Sequence, residues 1–114
     1  MVEPEGKVIL LGSEGCGRGD EDIGFEVLAI LLDRLAKRDD TPKAIICWNI
    51  AVQLLAEGSP LLPRFKRLEE KGISILAGER CVFELGLTDK MAVGKVANMD
   101  EILDLLLHND VISL

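Results

Sequence analysis

Tyrosine is absent from this chain, and aromatic residues make up only 4% of it. The core must therefore be aliphatic, built from Leu, Ile and Val. Basic residues are in the minority, thirteen against twenty acidic, for a net charge of -7. That sign argues against nucleic acid or an anionic membrane as the main partner. Cysteines are few: Cys16, Cys47 and Cys81 are odd in number and widely spaced, which excludes a disulfide framework. There is no Cys-x-x-Cys or His-x-x-x-His pair, and His108 is the one histidine, so a zinc site lacks its ligands. Met1 to Lys7 is acidic and polar, and the apolar run Val8 to Leu11 is too short for a signal peptide. No stretch approaches the length of a membrane span. The expectation is a soluble protein of a reducing cytoplasm, with no resident metal or cofactor.

What is present is ample apolar content, 48% of 114 residues. That suits one folded domain, residues 1–114 with 1–6 as an N-terminal tail, and rules out a disordered chain. Strand and helix signals alternate along it. Val8 to Leu11 reads as a strand buried on both faces, ending at Gly12. A glycine-rich loop, Gly12 to Gly19, leads to Asp20, which suits an N-cap, with Glu21 and Asp22 complementing the dipole of a helix to about Lys37. Ile23, Val27, Ile30, Leu31 and Leu35 form its apolar stripe, widened by Leu28 and Leu32. A helix this apolar is expected to bury a second face, against another helix or another subunit.

Ala44 to Trp48 is the second strand, and Asn49 ends it. Ala51 to Glu57 fits either a short helix or an ordered loop. Ser59-Pro60 opens the next helix with Pro60 at N1; Leu61, Phe65 and Leu68 face the core and Gly72 follows its end. Ile73 to Ala77 is the third strand, followed by a tight turn, Gly78-Glu79-Arg80, and a helical turn after Cys81. Val93 to Ala97 is a fourth strand. Asn98 to Glu101 reads as a capping box for a helix to Leu107, and Val111-Ile112 is the last strand. The β-α alternation implies a parallel sheet covered on both faces.

In such a sheet the carboxyl ends of the strands share one rim, where ligand sites collect. The loops carrying Cys16, Arg18, Asn49, Arg80, Cys81 and Asn98 converge there. Cys81, at a strand-to-helix junction, is the strongest candidate for chemistry, because exposure and nearby backbone N–H groups both favour a thiolate. Arg18 and Arg80 would favour the thiolate further and attract a small anion. Each residue also has a plainer reading. Cys81 can simply pack, and Cys47, mid-strand, reads as an inert core thiol. The arginines can be solvated or paired with carboxylates, Asn49 and Asn98 can cap and turn, and His108 suits the dipole at a helix end. The glycine-rich loop resembles a phosphate cradle only in outline: no P-loop pattern is present, and Asp20 to Asp22 would repel a polyphosphate.

Several segments taken together resemble one family. Gly17-Arg18-Gly19-Asp20-Glu21-Asp22-Ile23-Gly24, Trp48-Asn49, Leu68 to Gly72, Cys81 with Gly86-Leu87, Val93-Gly94 and Asn98-Met99 look like the DsrE/DsrF-like sulfur-relay family. Within it the chain is most similar to the C-terminal domain of YedF-like proteins, sulfurtransferase-like and linked to selenium metabolism. The resemblance spans about residues 7 to 112. It implies a three-layer α/β/α domain with a five-stranded parallel sheet, commonly assembled into trimers or hexamers. It also implies that Cys81 carries sulfur as a persulfide, with Arg80, Arg18 and Asn49 in support and Cys16 as a conceivable second thiol. Two departures follow. The YedF-like branch has Cys-x-x-Cys where this chain has Gly78-Glu79-Arg80-Cys81, so a disulfide within that loop is excluded. The sequence also holds no TusA-like segment, so the sulfur donor or acceptor is expected to be a separate, TusA-like protein. The alternatives are a non-catalytic oligomeric scaffold subunit of a sulfur or selenium complex, and a small-anion or nucleotide-binding module.

Overall fold

The computed structural model describes residues 6–114; residues 1–5 of the expected N-terminal tail lie outside the described residues. Five strands alternate with helices. They are β1 (Lys7–Leu11), β2 (Ala44–Cys47), β3 (Ser74–Gly78), β4 (Lys95–Ala97) and β5 (Asp110–Ser113). The helices are α1 (Glu21–Leu35), α2 (Leu62–Glu70), α3 (Glu79–Glu84) and α4 (Met99–His108), with a 3-10 segment over Asn49–Leu55. All strand pairs are parallel, in the order β4-β3-β2-β1-β5. β2 is central and buried along its whole length, which is why Ala44-Ile45-Ile46-Cys47 reads as an unbroken apolar run.

The strand order fixes the layers. β1 to β4 advance in one direction across the sheet, and the last crossover returns past β1 to the opposite edge. Right-handed crossovers therefore put the earlier helices on one face and α4 on the other. The two halves of the core follow this division. Leu28 and Leu32, Phe65 and Leu68, and Val82 pack with Ile9, Leu11, Ile45 and Ile75. Ile102 of α4 packs with Val8, Ala44, Ile46 and Ala97 on the opposite face. The result is a three-layer α/β/α domain in which a single helix forms one outer layer.

Local chemistry explains most boundaries. The Asp20 carboxylate caps α1 by accepting from the Ile23 N–H at 3.0 Å. Asn98 and Glu101 form a full capping box at the start of α4. Gly72, at φ 97°, closes α2 in a Schellman motif, with Ile73 N–H on the Leu68 carbonyl and Gly72 N–H on that of Glu69.

Several details differ from expectation. The inward line of α1 is Gly24, Leu28 and Leu32, while Ile23 (60% exposed), Val27 (44%) and Ile30 (60%) face outward. The cause is the glycine-rich loop, which folds back on the helix start: a Cβ on Gly15 would lie 2.6 Å from the Gly24 carbonyl carbon. A helix face that meets backbone so closely must pass through a glycine, and a glycine leaves no hydrophobic signal. α2 starts after Pro60, with Pro63 rather than Pro60 in its first turn. β4 begins only at Lys95, because Gly94 turns at φ 79° with its missing Cβ 2.6 Å from the Ile75 carbonyl oxygen. The segment after Asn49 is the 3-10 helix. No separate turn divides β3 from α3: Gly78 ends the strand and caps the helix, so Cys81 stands in the first turn of α3.

Among the described residues no helix is long and apolar enough to cross a membrane.

Candidate functional site

Cys81 lies where the carboxyl ends of β2 and β3 meet, beside the chain leaving each strand. The register pairs Cys47 with Ala77, so Trp48-Asn49 and Gly78 depart the sheet side by side. α3 then turns its first residues over the rim. The Cys81 thiol is half-buried and accepts the backbone N–H of Asn49 at 3.0 Å. Asn49 is in left-handed backbone, φ 54°, the one non-glycine residue so placed among the described residues. Asn tolerates this region better than most residues, and strained backbone of this kind concentrates at functional sites.

A cleft of about 400 Å³ opens beside the sulfur, lined by Trp48, Asn49, Arg80, Cys81, Glu84 and Leu85. Its walls are largely apolar, from the Trp48 ring and the Leu85 side chain. Arg80 lines it, but its Nη2 pairs with Glu84 Oε1 at 2.8 Å, one helical turn on. The cleft thus holds one cation and one anion that neutralise each other. Gly78 adjoins the sulfur: a Cβ there would sit in ordinary contact, 3.5 Å from Cys81 Sγ and 3.4 Å from Trp48 Cβ. Gly78 itself has φ -60°, a conformation open to any residue.

The other predicted residues fall elsewhere. Arg18 lines a second cleft of about 580 Å³, formed by the glycine-rich loop with Glu14, Asp20, Glu21, Asp22, Phe25 and Ile50. Four carboxylates to one guanidinium make that cleft hostile to phosphate. Cys16 packs half-buried against the core, its backbone N–H on the Gly24 carbonyl at 2.9 Å, and burial pushes its thiol up. Cys47 is fully buried and its thiol is pushed up to about 12 by desolvation. Asn98 is occupied as a cap. His108 closes α4, its ring Nδ1 bonded to the Asp104 carbonyl at 2.7 Å. Of the candidate site, then, Asn49, Arg80 and Cys81 share one cleft, while Arg18 belongs to the other. Among the described residues no three His, Cys, Asp or Glu side chains are gathered as metal ligands would be.

Three cleft residues were not anticipated as such: Trp48, Glu84 and Leu85. The signal for the last two was helical spacing, since Glu84 follows Arg80 and Leu85 follows Cys81 by one turn. It was hidden because the helix begins earlier than the sequence suggests.

No family model matches the chain, and no curated protein matches it. Solved structures do. The ychN protein from E. coli superposes with a TM-score of 0.71 at 13% identity, over 95% of this chain and 98% of that one. The MTH1491 protein of unknown function from Methanobacterium thermoautotrophicum gives 0.69 at 13% identity, over 95% and 98%. The conserved protein of unknown function BT1422 from Bacteroides thetaiotaomicron gives 0.65 at 21% identity, over 95% and 94%. The fold is accordingly DsrE-like. Identities this low speak to fold alone.

Proposed function

We propose that this chain is a sulfur carrier that holds sulfur as a persulfide on Cys81. The observation that carries the reading is the thiol itself: a half-buried Sγ in an open cleft, receiving a backbone N–H at 3.0 Å from the one left-handed non-glycine residue described. A DsrE-like fold is consistent with a sulfur-relay role. The narrower link to YedF-like proteins and selenium metabolism rests on the motif resemblance.

The chemistry is two displacements at sulfur. The Cys81 thiolate attacks the outer sulfur of a donor persulfide. The new S–S bond forms as the donor's S–S bond breaks, and the donor leaves as a thiolate. An acceptor thiolate then attacks the outer sulfur of the Cys81 persulfide, and Cys81 departs as the thiolate. Sulfur moves without net oxidation or reduction. One thiol suffices, so the absence of a cysteine at position 78 is no obstacle. The Asn49 N–H stabilises negative charge on sulfur at both steps. Cys16 packs against α1 and takes no part. The donor and acceptor are separate, TusA-like cytoplasmic proteins, and the chain works as a homo-oligomer.

Mass spectrometry after incubation with a persulfide donor tests this. The expected result is a gain of one sulfur atom, mapped to Cys81, removed by a thiol and absent from Cys81→Ser. Wild-type protein that gains no sulfur on Cys81 would sink the reading and leave the non-catalytic scaffold subunit in its place.

A further inference from the structure

In a parallel α/β sheet the helices start at the rim where the strands end, so charges placed at helix starts collect there. Three of the four helices begin among carboxylates. α1 is entered through Glu14, Asp20, Glu21 and Asp22; α3 carries Glu79 and Glu84; α4 opens with Asp100 and Glu101; all are exposed. Against these the same segments hold two cations, Arg18 and Arg80, and Arg80 is taken up by Glu84 at 2.8 Å. The opposite rim is mixed: Arg34, Lys37, Arg38 and Lys43 offset Asp39 and Asp40 on the way into β2. Each carboxylate has a local reason, since negative charge suits the start of a helix dipole. The fold then adds them up around one sulfur. Gly78 pairs with Ala97, so Glu79 and Asn98 leave the sheet side by side. Asn49 lines the Cys81 cleft, and Ile50, its neighbour in the chain, lines the acidic cleft.

We infer that the apolar Cys81 cleft and the acidic rim around it form a docking surface for a partner protein whose exchanging cysteine is flanked by lysine and arginine. The occupant follows from charge complementarity. A Cys81 thiolate and a donor persulfide are both anionic and repel as they approach. A cationic collar on the donor offsets that repulsion and meets carboxylates on this side. A second copy of this chain, with its net charge of -7, would meet its own sign here. The contacts divide by type. The cleft, walled by Trp48 and Leu85 and with Arg80 cancelled by Glu84, takes the uncharged part of the segment that bears the partner's cysteine. The rim supplies attraction from a distance and so acts on the rate of encounter. The inference rests on the reading of Cys81 as the thiol that exchanges sulfur, and adds the chemistry of the partner.

Two peptides test it. Each carries one cysteine as a mixed disulfide with thionitrobenzoate, flanked by lysines in one and by glutamates in the other. Attack by the Cys81 thiolate forms the protein–peptide disulfide, breaks the peptide's own, and releases thionitrobenzoate as a coloured thiolate. The rate lost in Cys81→Ser isolates this thiol. At about 20 mM salt the lysine peptide should react about tenfold faster or more, and at about 0.5 M the two rates should converge to within about twofold. Glu14→Gln, Glu21→Gln and Asp22→Asn together should cut the low-salt preference about threefold or more. Asp39→Asn, Glu70→Gln and Asp110→Asn remove the same charge from the opposite rim and should leave the preference nearly intact. Equal rates for the two peptides on wild type at low salt would overturn the inference, whether or not the variants fold. Equal losses in the two triple variants would overturn it as well, by assigning the preference to net charge alone. A lysine preference with no sulfur gained by Cys81 from a persulfide donor would defeat sulfur carriage and leave the docking surface standing. Sulfur gained with no preference would do the reverse.

Discussion

Cys47 and Cys81 are separated by one turn past adjacent strands, yet they do opposite things. Cys47, on the central strand β2, packs in the core on the sheet face covered by α1 and α2 and is fully buried. Cys81 faces the cleft. The thiol of Cys47 is raised from 9.0 to about 12 because burial penalises its charged form. In the unfolded chain it returns to its ordinary value. Between about pH 9 and about pH 12 the folded state therefore binds more protons than the unfolded state, and stability falls as pH rises. From about pH 8 to about pH 10 the loss should be on the order of 1 kcal/mol. Urea denaturation of wild type and Cys47→Ala at the two pH values checks it: the wild type should lose that much more than the variant. Parallel behaviour of the two proteins would show that the buried thiol is not the cause. The inert role of Cys47 was legible in the sequence, because a cysteine within an apolar strand has nowhere else to point. The partner of Cys81 was not. The bond comes from a backbone N–H 32 positions away in sequence, brought beside the sulfur by the β2–β3 register, and no side-chain pattern records it.

At the scale of elements, the Cys81 cleft owes its charge balance to one turn of α3. Arg80 and Glu84 are four apart and mutually paired at 2.8 Å, both largely exposed. Such a pair contributes little to stability. Its consequence is electrostatic: the guanidinium that lines the cleft with the sulfur is cancelled. Glu84→Gln should leave stability nearly unchanged while freeing the guanidinium. Alkylation by anionic iodoacetate should then accelerate about two- to fivefold relative to neutral iodoacetamide, and the gain should shrink at high salt. An unchanged ratio of the two rates would mean that Arg80 does not act on the cleft. This pair was visible in the sequence only to a reader who started α3 at Glu79. The expected tight turn, Gly78-Glu79-Arg80, put Arg80 outside the helix and dissolved the spacing. Glycine caused the misreading, as it did in α1, where Gly24 hid the inward face. Elements with side-chain punctuation were legible to within a residue or two: the Asp20 cap, the Asn98-Glu101 box and the Gly72 stop all act as their spacing implies.

At the scale of the whole molecule, the alternation of strands and helices was enough to give a parallel sheet, and the strand order adds which face each helix takes. Among the described residues it leaves apolar stripes exposed on two helices, Met99, Leu103 and Leu107 on α4 and a second on α1. Ile23, Val27 and Ile30 follow one another along the outer side of α1 and stay exposed, away from the core that Leu28 and Leu32 enter. The stripe runs about 10 Å along the helix axis. Isolated exposed aliphatic residues need no explanation, but three in register on one helix form a surface that can meet its own copy about a symmetry axis. Each aliphatic side chain so buried contributes about 1–2 kcal/mol of transfer free energy. The net charge of -7 per chain opposes association. Salt screens that repulsion and leaves the apolar contact untouched, so assembly should tighten as ionic strength rises. Sedimentation velocity should therefore find a homo-oligomer whose dissociation is favoured by low salt. Ile23→Glu combined with Ile30→Glu should reduce it to monomers with helical circular dichroism unchanged, since neither side chain enters the core. Monomeric wild type at every salt concentration would refute the assembly. An undiminished mass in the double variant would refute α1 as its interface, because two buried carboxylates facing their symmetry mates cannot coexist with the contact.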